Sequence, residues 1–121
     1  MAVKLRNLSS PVHWNVTAQT PNAVAYRLWV SYPGGDWEMI AEGGLADDNP
    51  DCGSFSPAEN MQFAFWLGVG STVPRSAFSI SIVLNQDGVP LTNGVLRERG
   101  KLDDKGEAYR ERTVPLNTLV S

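Results

Sequence analysis

The amino-acid sequence predicts an all-β protein, a single-domain antiparallel β-sandwich that spans residues 1–121. Apolar and polar residues alternate with a period of two in most segments, which is typical of strands with one buried and one solvated face. Many of the 11 glycines and 8 prolines fall between these segments, where the chain must reverse. No segment has the apolar period of an amphipathic helix. A small β-barrel is the alternative architecture for a chain of this length.

The first predicted strand is "VHWNVTAQ" and the second is "AVAYRLWVSY", with a turn at "TPNA" between them. On the apolar face of the first strand lie Val12, Trp14, Val16 and Ala18. On the apolar face of the second lie Val24, Tyr26, Leu28, Val30 and Tyr32. This alternation leaves Trp29 on the polar face of the second strand, beside Arg27. A tryptophan on a polar face is the first candidate for a functional residue.

A third strand, "WEMIAE", follows the turn "SYPGGDW". In this strand Trp37 and Met39 are expected to point inward. Glu38 and Glu42 are expected to point outward. The next segment, "GGLADDNPDCGSFSPAEN", has no apolar period and predicts an acidic surface loop. Its "SPAE" portion has the form of a capping box with proline at the first helical position, which predicts one helical turn.

Two further strands are predicted at "MQFAFWLGVG" and "FSISIVL". Their inward residues are expected to be Met61, Phe63, Phe65, Leu67, Val69, Phe78, Ile80, Ile82 and Leu84. Trp66 is left on the polar face of its strand, between the small residues Ala64 and Gly68. The "NQDG" segment predicts a tight hairpin turn. The last third, "GVLRERGKLDDKGEAYRERTVPL", predicts a final hairpin with "LDDKG" at its tip, giving seven to nine strands in all.

The turn chemistry of the last third resembles that of a known group of domains. Asp87-Gly88 forms one turn, and Asp103 and Asp104 lead through Gly106 to Ala108 at the start of the final strand. This pattern resembles the closing strands of bacterial immunoglobulin-like or transthyretin-like sandwich domains. The resemblance implies an immunoglobulin-like or related topology, and it implies a fold more than a function.

The net charge of −3 is unevenly distributed along the chain. Residues 28–96 contain eight acids and one base, a net −7, whereas residues 1–27 carry +3 and residues 97–121 carry +1. An acidic middle disfavours nucleic-acid partners, because nucleic acids bind clustered cations. No apolar run is long enough to span a membrane, so no membrane partner is expected.

The chain is expected to be cytoplasmic, since "MAVKLRNLSS" lacks the apolar region of a secretion signal. Secretion after removal of an unseen signal is the alternative. Cys52 is the only cysteine, which excludes an internal disulfide.

Residue types that carry catalysis or bind metals are sparse. His13 is the only histidine, and it lies on the polar side of an early strand without an acidic neighbour in sequence. Near Cys52, the carboxylates of Asp47, Asp48 and Asp51 oppose thiolate formation. These acids also lack the regular spacing of a calcium loop. The sequence therefore predicts a non-catalytic protein without cofactor or metal, and a small hydrolase with loop carboxylates is one alternative.

Two copies of "RER" occupy the predicted final hairpin, at residues 97–99 and 110–112. If the two strands pair, alternation places all four arginines on one face. Such a stripe has the chemistry to hold a phosphate, a sulfate or an acidic partner. Protection of an exposed sheet edge by charged side chains is the favoured interpretation.

The outward tryptophans, Trp29 and Trp66, define the candidate binding surface, with Arg27 and Gln62 beside them. Aromatic side chains placed in this way anchor protein partners or stack on sugar rings. The favoured hypothesis is an interaction module that recognises a partner protein or a second copy of itself. A carbohydrate-binding module using the same face is the alternative. A covering segment or a β-bulge that turns either ring inward would remove this surface.

Overall fold

The structure is a computed structural model that describes residues 2–18, 23–45 and 51–118. These residues form nine strands and no helix, and therefore no helix that could cross a membrane. The strands are β1 (Val3–Leu5), β2 (Val12–Ala18), β3 (Ala23–Ser31), β4 (Trp37–Leu45), β5 (Asp51–Phe55), β6 (Met61–Gly70), β7 (Ala77–Gln86), β8 (Val89–Lys101) and β9 (Glu107–Thr118). The all-β class is thus confirmed.

One continuous sheet joins the nine strands in the order β4-β3-β6-β9-β1-β8-β7-β2-β5. Every neighbouring pair is antiparallel except β1 and β9, which run parallel. The sheet curves until it is nearly barrel-shaped. The Tyr26 hydroxyl of β3, the neighbour of the end strand β4, donates a 2.5 Å hydrogen bond to Asp51 Oδ2 of β5, the strand at the other end of the sheet.

The interior is filled by the apolar faces of alternating strands. The inward positions expected in the first, second, fourth and fifth predicted strands are confirmed, and most of their side chains are fully buried. Trp14 of β2 is 6% exposed and packs edge-on against Tyr26, with ring centroids 6.1 Å apart. Because burial of one large apolar side chain contributes roughly 1.5–3 kcal/mol, this single core is the main source of stability.

A short strand that the sequence pattern does not predict, β1, connects the two halves of the sheet. It pairs with β8 on one side and with β9 on the other. The segment after it is held by the fully buried side chain of Gln86. Gln86 Oε1 accepts hydrogen bonds from the backbone N–H groups of Arg6 and Asn7, and its Nε2 donates to the carbonyls of Asn7 and Ser10.

The predicted final hairpin is wrong beyond its turn. The turn itself forms, with Asp103 and Glu107 joined by a backbone hydrogen bond. After the turn β8 and β9 separate, and each pairs along its length with a different strand, β7 or β6. The three residues of β1 fill the space between them at the far end. The Asp87-Gly88 turn between β7 and β8 is confirmed, with positive φ at both residues, 53° and 76°.

The predicted loop over residues 43–60 is also partly wrong. Strand β4 continues to Leu45, and Asp51–Phe55 forms β5, which pairs with β2. The predicted helical turn is absent, because the "SPAE" segment forms a turn closed by a hydrogen bond from Met61 N to the Ala58 carbonyl. Instead of closing a capping box, the Glu59 carboxylate accepts hydrogen bonds from the backbone and side chain of Thr118 in β9.

Candidate binding face

Strands β4, β3, β6 and β9 lie side by side, and their outer surface carries the tryptophans singled out by the sequence. In β3 and β6 the inward residues are buried, so Trp29 and Trp66 lie on the opposite, outer side, where both are partly exposed. Their outward placement is therefore confirmed. Trp29 is directly opposite Ala64, and Trp66 is directly opposite Arg27. Gln62 is exposed one row beyond Ala64, opposite Ser31.

The inward placement of Trp37 and Met39 is wrong. Trp37 pairs with Ser31, and Met39 pairs with Trp29, so both share the outer side of the sheet. They are 47% and 48% exposed. A β-bulge beside Trp29 makes Ile40 an extra residue between Met39 and Ala41, so Ile40 and Ala41 both pack against the core and Glu42 returns to the outer side opposite Arg27. The outer aromatic surface is consequently larger than the sequence predicts.

The ring of Trp66 is held between residues of its two neighbouring strands. The Arg27 guanidinium of β3 lies over the ring, 5.2 Å from its centroid. On the other side, the Tyr109 ring of β9 is 5.8 Å away at an angle of 32°. Gly68 provides the space, since a Cβ there would lie 2.6 Å from Trp66 Cη2. These contacts explain why a tryptophan is stable on a polar face beside an arginine.

Trp29 has no such ring or cation contact among the described residues. It borders a groove of about 350 Å³, whose other walls include Ala64, Glu111 and Thr113. Because Ala64 has only a methyl side chain, the groove runs from Trp29 across β6 to β9. This groove leaves one edge of the Trp29 side chain open to a ligand.

A second groove of about 390 Å³ lies on the other side of Trp66 along the same strands. Its floor is formed by residues without long side chains, including Gly68 and Gly70, and its walls include Tyr109 and Glu107. Tyr109 is 59% exposed. Although "EAYRER" alternates, Tyr109 is not recognisable from the sequence as part of this surface, because its position opposite Gly68 depends on the pairing of β6 with β9.

The four arginines of the "RER" repeats do not form one stripe, so that expectation is wrong. Arg97 and Arg99 lie opposite Ser81 and Ser79 on the outer side of β8. Arg110 and Arg112 lie on the inward side of β9, opposite Leu67 and Phe65 of β6. Arg112 pairs with Glu98 at 3.1 Å and lies over Phe65, whereas Arg110 lies over Phe78.

The remaining candidates are distributed without forming a site. His13 is exposed on β2, and Cys52 is an exposed free thiol on β5. Asp47 and Asp48 lie outside the described residues, and Asp51 accepts the hydrogen bond from Tyr26. Within residues 2–18, 23–45 and 51–118, no group of three His, Cys, Asp or Glu side chains could hold a metal ion.

Two of the acidic candidates, Asp51 and Asp103, make hydrogen bonds that stabilise local structure. Burial, followed by the hydrogen bond to Asp51, raises the pKa of the Tyr26 hydroxyl to about 12. Asp103 Oδ1 accepts hydrogen bonds from the backbone N–H groups of Lys105 and Glu107, which lower the pKa of the Asp103 carboxyl. Asp103 therefore closes its own turn, as aspartates in turns commonly do.

Comparison with known proteins adds no relative to these observations. No protein-family model, curated protein or solved structure matches the chain.

Proposed function

We propose that this chain is a non-catalytic interaction module that recognises a partner protein through the outer surface of β4, β3, β6 and β9. The observation that supports this proposal most directly is the set of large apolar side chains on that surface. The aromatic face, as we name it, comprises Trp29, Trp37, Met39, Trp66 and Tyr109. Protein interfaces are enriched in tryptophan, tyrosine, methionine and arginine, and the first three types are all present here.

The opposite side of the molecule provides the contrast. The outer sides of β2 and β7 carry mainly small polar residues, among them Asn15, Thr17, Ser79 and Ser81. A polar outer surface is the ordinary state of a sheet that faces water. Exposed apolar residues elsewhere in the described residues, such as Val73 and Val95, are aliphatic, so the clustering of aromatic side chains with Met39 supports a contact role for this face.

The proposal includes a β-sandwich of immunoglobulin-like or related topology acting in the cytoplasm. The alternating strands and the two turns, at Asp87-Gly88 and at Asp103–Gly106, support the sandwich. The exposed free thiol of Cys52 supports a reducing compartment such as the cytoplasm.

Carbohydrate recognition is a second candidate, favoured by the surroundings of Trp29. Its groove combines an aromatic ring with the hydrogen-bonding side chains of Glu111 and Thr113. Sugars stack on aromatic rings and use neighbouring polar groups to fix their hydroxyls.

The test is a random peptide-library selection on the wild-type protein, followed by affinity measurements on a Trp29→Ala/Trp37→Ala double variant. His13→Ala is the matched control, because His13 is exposed on the polar side. Selected peptides should bind the double variant at least about tenfold more weakly and the control equally well. Equal affinity for all three proteins would contradict the proposal.

Two parallel measurements separate the alternatives. A glycan array that retains sugars on the wild type but not on Trp29→Ala identifies the carbohydrate candidate in place of the protein partner. Sedimentation over a range of concentrations shows whether the partner is a second copy of this chain. In that case the double variant should remain monomeric where the wild type dimerises.

A further inference from the structure

The two grooves of the aromatic face each have one carboxylate at their β9 side. Glu111 lines the groove beside Trp29, and Glu107 lines the groove beside Tyr109. Both side chains point outward and are exposed. They are four residues apart on one strand, which corresponds to about 14 Å at 3.4 Å per residue.

The same face already holds one cation in such surroundings. The Arg27 guanidinium lies over the Trp66 ring at 5.2 Å, and its Nε is 3.7 Å from Glu42 Oε2. An aromatic ring and a carboxylate therefore hold a positive group together on this surface. Glu111 shares a groove with Trp29, and Glu107 accepts a 3.4 Å hydrogen bond from the Tyr109 hydroxyl, so each carboxylate again lies near an aromatic ring. Neither carboxylate is in an ion pair among the described residues.

The neighbouring arginines do not compensate the two carboxylates. Arg112 also lines the groove beside Trp29, and Arg110 lines a further groove with Tyr109 and Glu111. Their guanidinium groups, however, lie over Phe65 and Phe78. Arg112 is also paired with Glu98. On the outward side, Arg27 and Glu42 balance each other, so Glu107 and Glu111 give the face a local net charge of −2 from these four residues.

We propose that the partner presents an extended basic segment to the aromatic face, with lysine or arginine side chains at positions i and i+4. This inference rests on the proposed function and specifies the chemistry of the partner. In an extended chain, residues i and i+4 point to the same side and are about 14 Å apart. One cation then reaches Trp29 and Glu111, and the other reaches Tyr109 and Glu107, while the residues between them cross Trp66.

The probe is a fluorescein-labelled nine-residue peptide with lysines at its third and seventh positions and with serine, threonine and glycine elsewhere. One comparison peptide has its lysines at the third and fifth positions, and another has glutamates at the third and seventh. Fluorescence anisotropy measures each affinity at low and at physiological ionic strength. We expect the first peptide to bind about fivefold more tightly than the second, no binding of the glutamate peptide, and weaker binding at higher salt.

Charge-neutral variants locate the contact. Glu107→Gln and Glu111→Gln should each weaken binding of the first peptide roughly fivefold, the size of one exposed cation contact. Asp104→Asn is the control, because it removes the same charge from an exposed turn outside the face, where Asp104 pairs with Arg75. The control should bind as the wild type does. All variants are exposed substitutions, and their folding is checked by denaturation.

Failure of this inference is distinguishable from failure of the proposed function. Absence of binding by the first peptide, equal binding of the glutamate peptide, or unchanged affinity in both glutamine variants overturns the basic-segment inference. If library-selected ligands still lose affinity on Trp29→Ala/Trp37→Ala, the aromatic face remains a binding surface with a different partner. If they do not, both proposals fail.

Discussion

The hydroxyl of Tyr26 donates a 2.5 Å hydrogen bond to Asp51 Oδ2 and joins β3 to β5, which are not neighbours in the sheet. Gly43 of β4 leaves room for this contact, because a Cβ there would lie 2.8 Å from the hydroxyl oxygen. The Tyr26 ring also packs against Trp14 of β2. The Tyr26 side chain thus connects β3 and β4, at one end of the sheet, with β5 and β2 at the other end.

Tyr26 makes stability sensitive to alkaline pH. The pKa of its hydroxyl is about 12 in the folded protein and near 10 when unfolded. A raised folded-state pKa contributes stability that is complete below pH 10 and is lost as the pH rises towards 12. We expect Tyr26→Phe to lack this loss, which urea denaturation from pH 8 to 12 measures as the difference between variant and wild type. Parallel curves for the two proteins would contradict the assignment.

Gln86 is expected to be the polar residue whose replacement is most destabilising. Its side chain is fully buried and satisfies backbone groups of Arg6, Asn7 and Ser10. Gln86→Leu leaves these partly buried backbone groups without their partner, at about 1–3 kcal/mol for each group that water does not reach. We expect a loss of at least about 3 kcal/mol in the free energy of unfolding. Gln62→Leu, at an exposed position on β6, should change it by less than about 0.5 kcal/mol.

Alternation predicts a strand's buried face well where the strand has two neighbours and one wet side. Strands β2, β3, β6 and β7 meet this condition, and their inward residues were predicted correctly. Strand β4 is an end strand with a bulge, so burial does not determine which side its apolar residues take, and Trp37 and Met39 lie outside. Strand β1 has three residues, too few to show a period.

The long-range arrangement depends on contacts that no local pattern encodes. Gln86 holds residues that precede it by 76 to 80 positions. The insertion of β1 between β8 and β9 separates two strands that their turn would otherwise join. For the candidate site, the outward position of Trp29 follows from alternation within β3, and that of Trp66 follows from alternation within β6. Their neighbours Tyr109 and Glu111 come from β9, and only the register with β6 brings them to the face.

Gly68 is expected to determine the position of the Trp66 ring. A Cβ at this residue would lie 2.6 Å from Trp66 Cη2, so Gly68→Val displaces the ring from its place between Arg27 and Tyr109. The expected result is a red-shifted tryptophan emission and weaker binding of any ligand of the aromatic face. Gly44→Val in the edge strand β4 is the comparison, since its nearest atom is a backbone oxygen 3.3 Å away. Unchanged emission in Gly68→Val would contradict this placement.

The four tryptophans should differ in their contributions to stability according to where their rings lie. Trp14 is in the core beside Tyr26, so Trp14→Ala should cost about 3–5 kcal/mol of unfolding free energy. Trp66→Ala loses the contacts with Arg27 and Tyr109 and should cost about 1–2 kcal/mol. Trp37 is 47% exposed, and Trp29 is partly exposed without a ring or cation contact among the described residues, so Trp37→Ala and Trp29→Ala should each cost less than about 1 kcal/mol.

Chemical denaturation of the four single variants measures these costs, and sedimentation measures any change in association. A loss for Trp29→Ala as large as that for Trp14→Ala would place the Trp29 ring in the core and would remove the aromatic face. Small losses accompanied by weaker ligand binding or lost dimerisation are the expected outcome. Under the proposed function, contact with a partner would bury the apolar area that these rings expose on a water-facing sheet, which is why their loss should weaken binding more than folding.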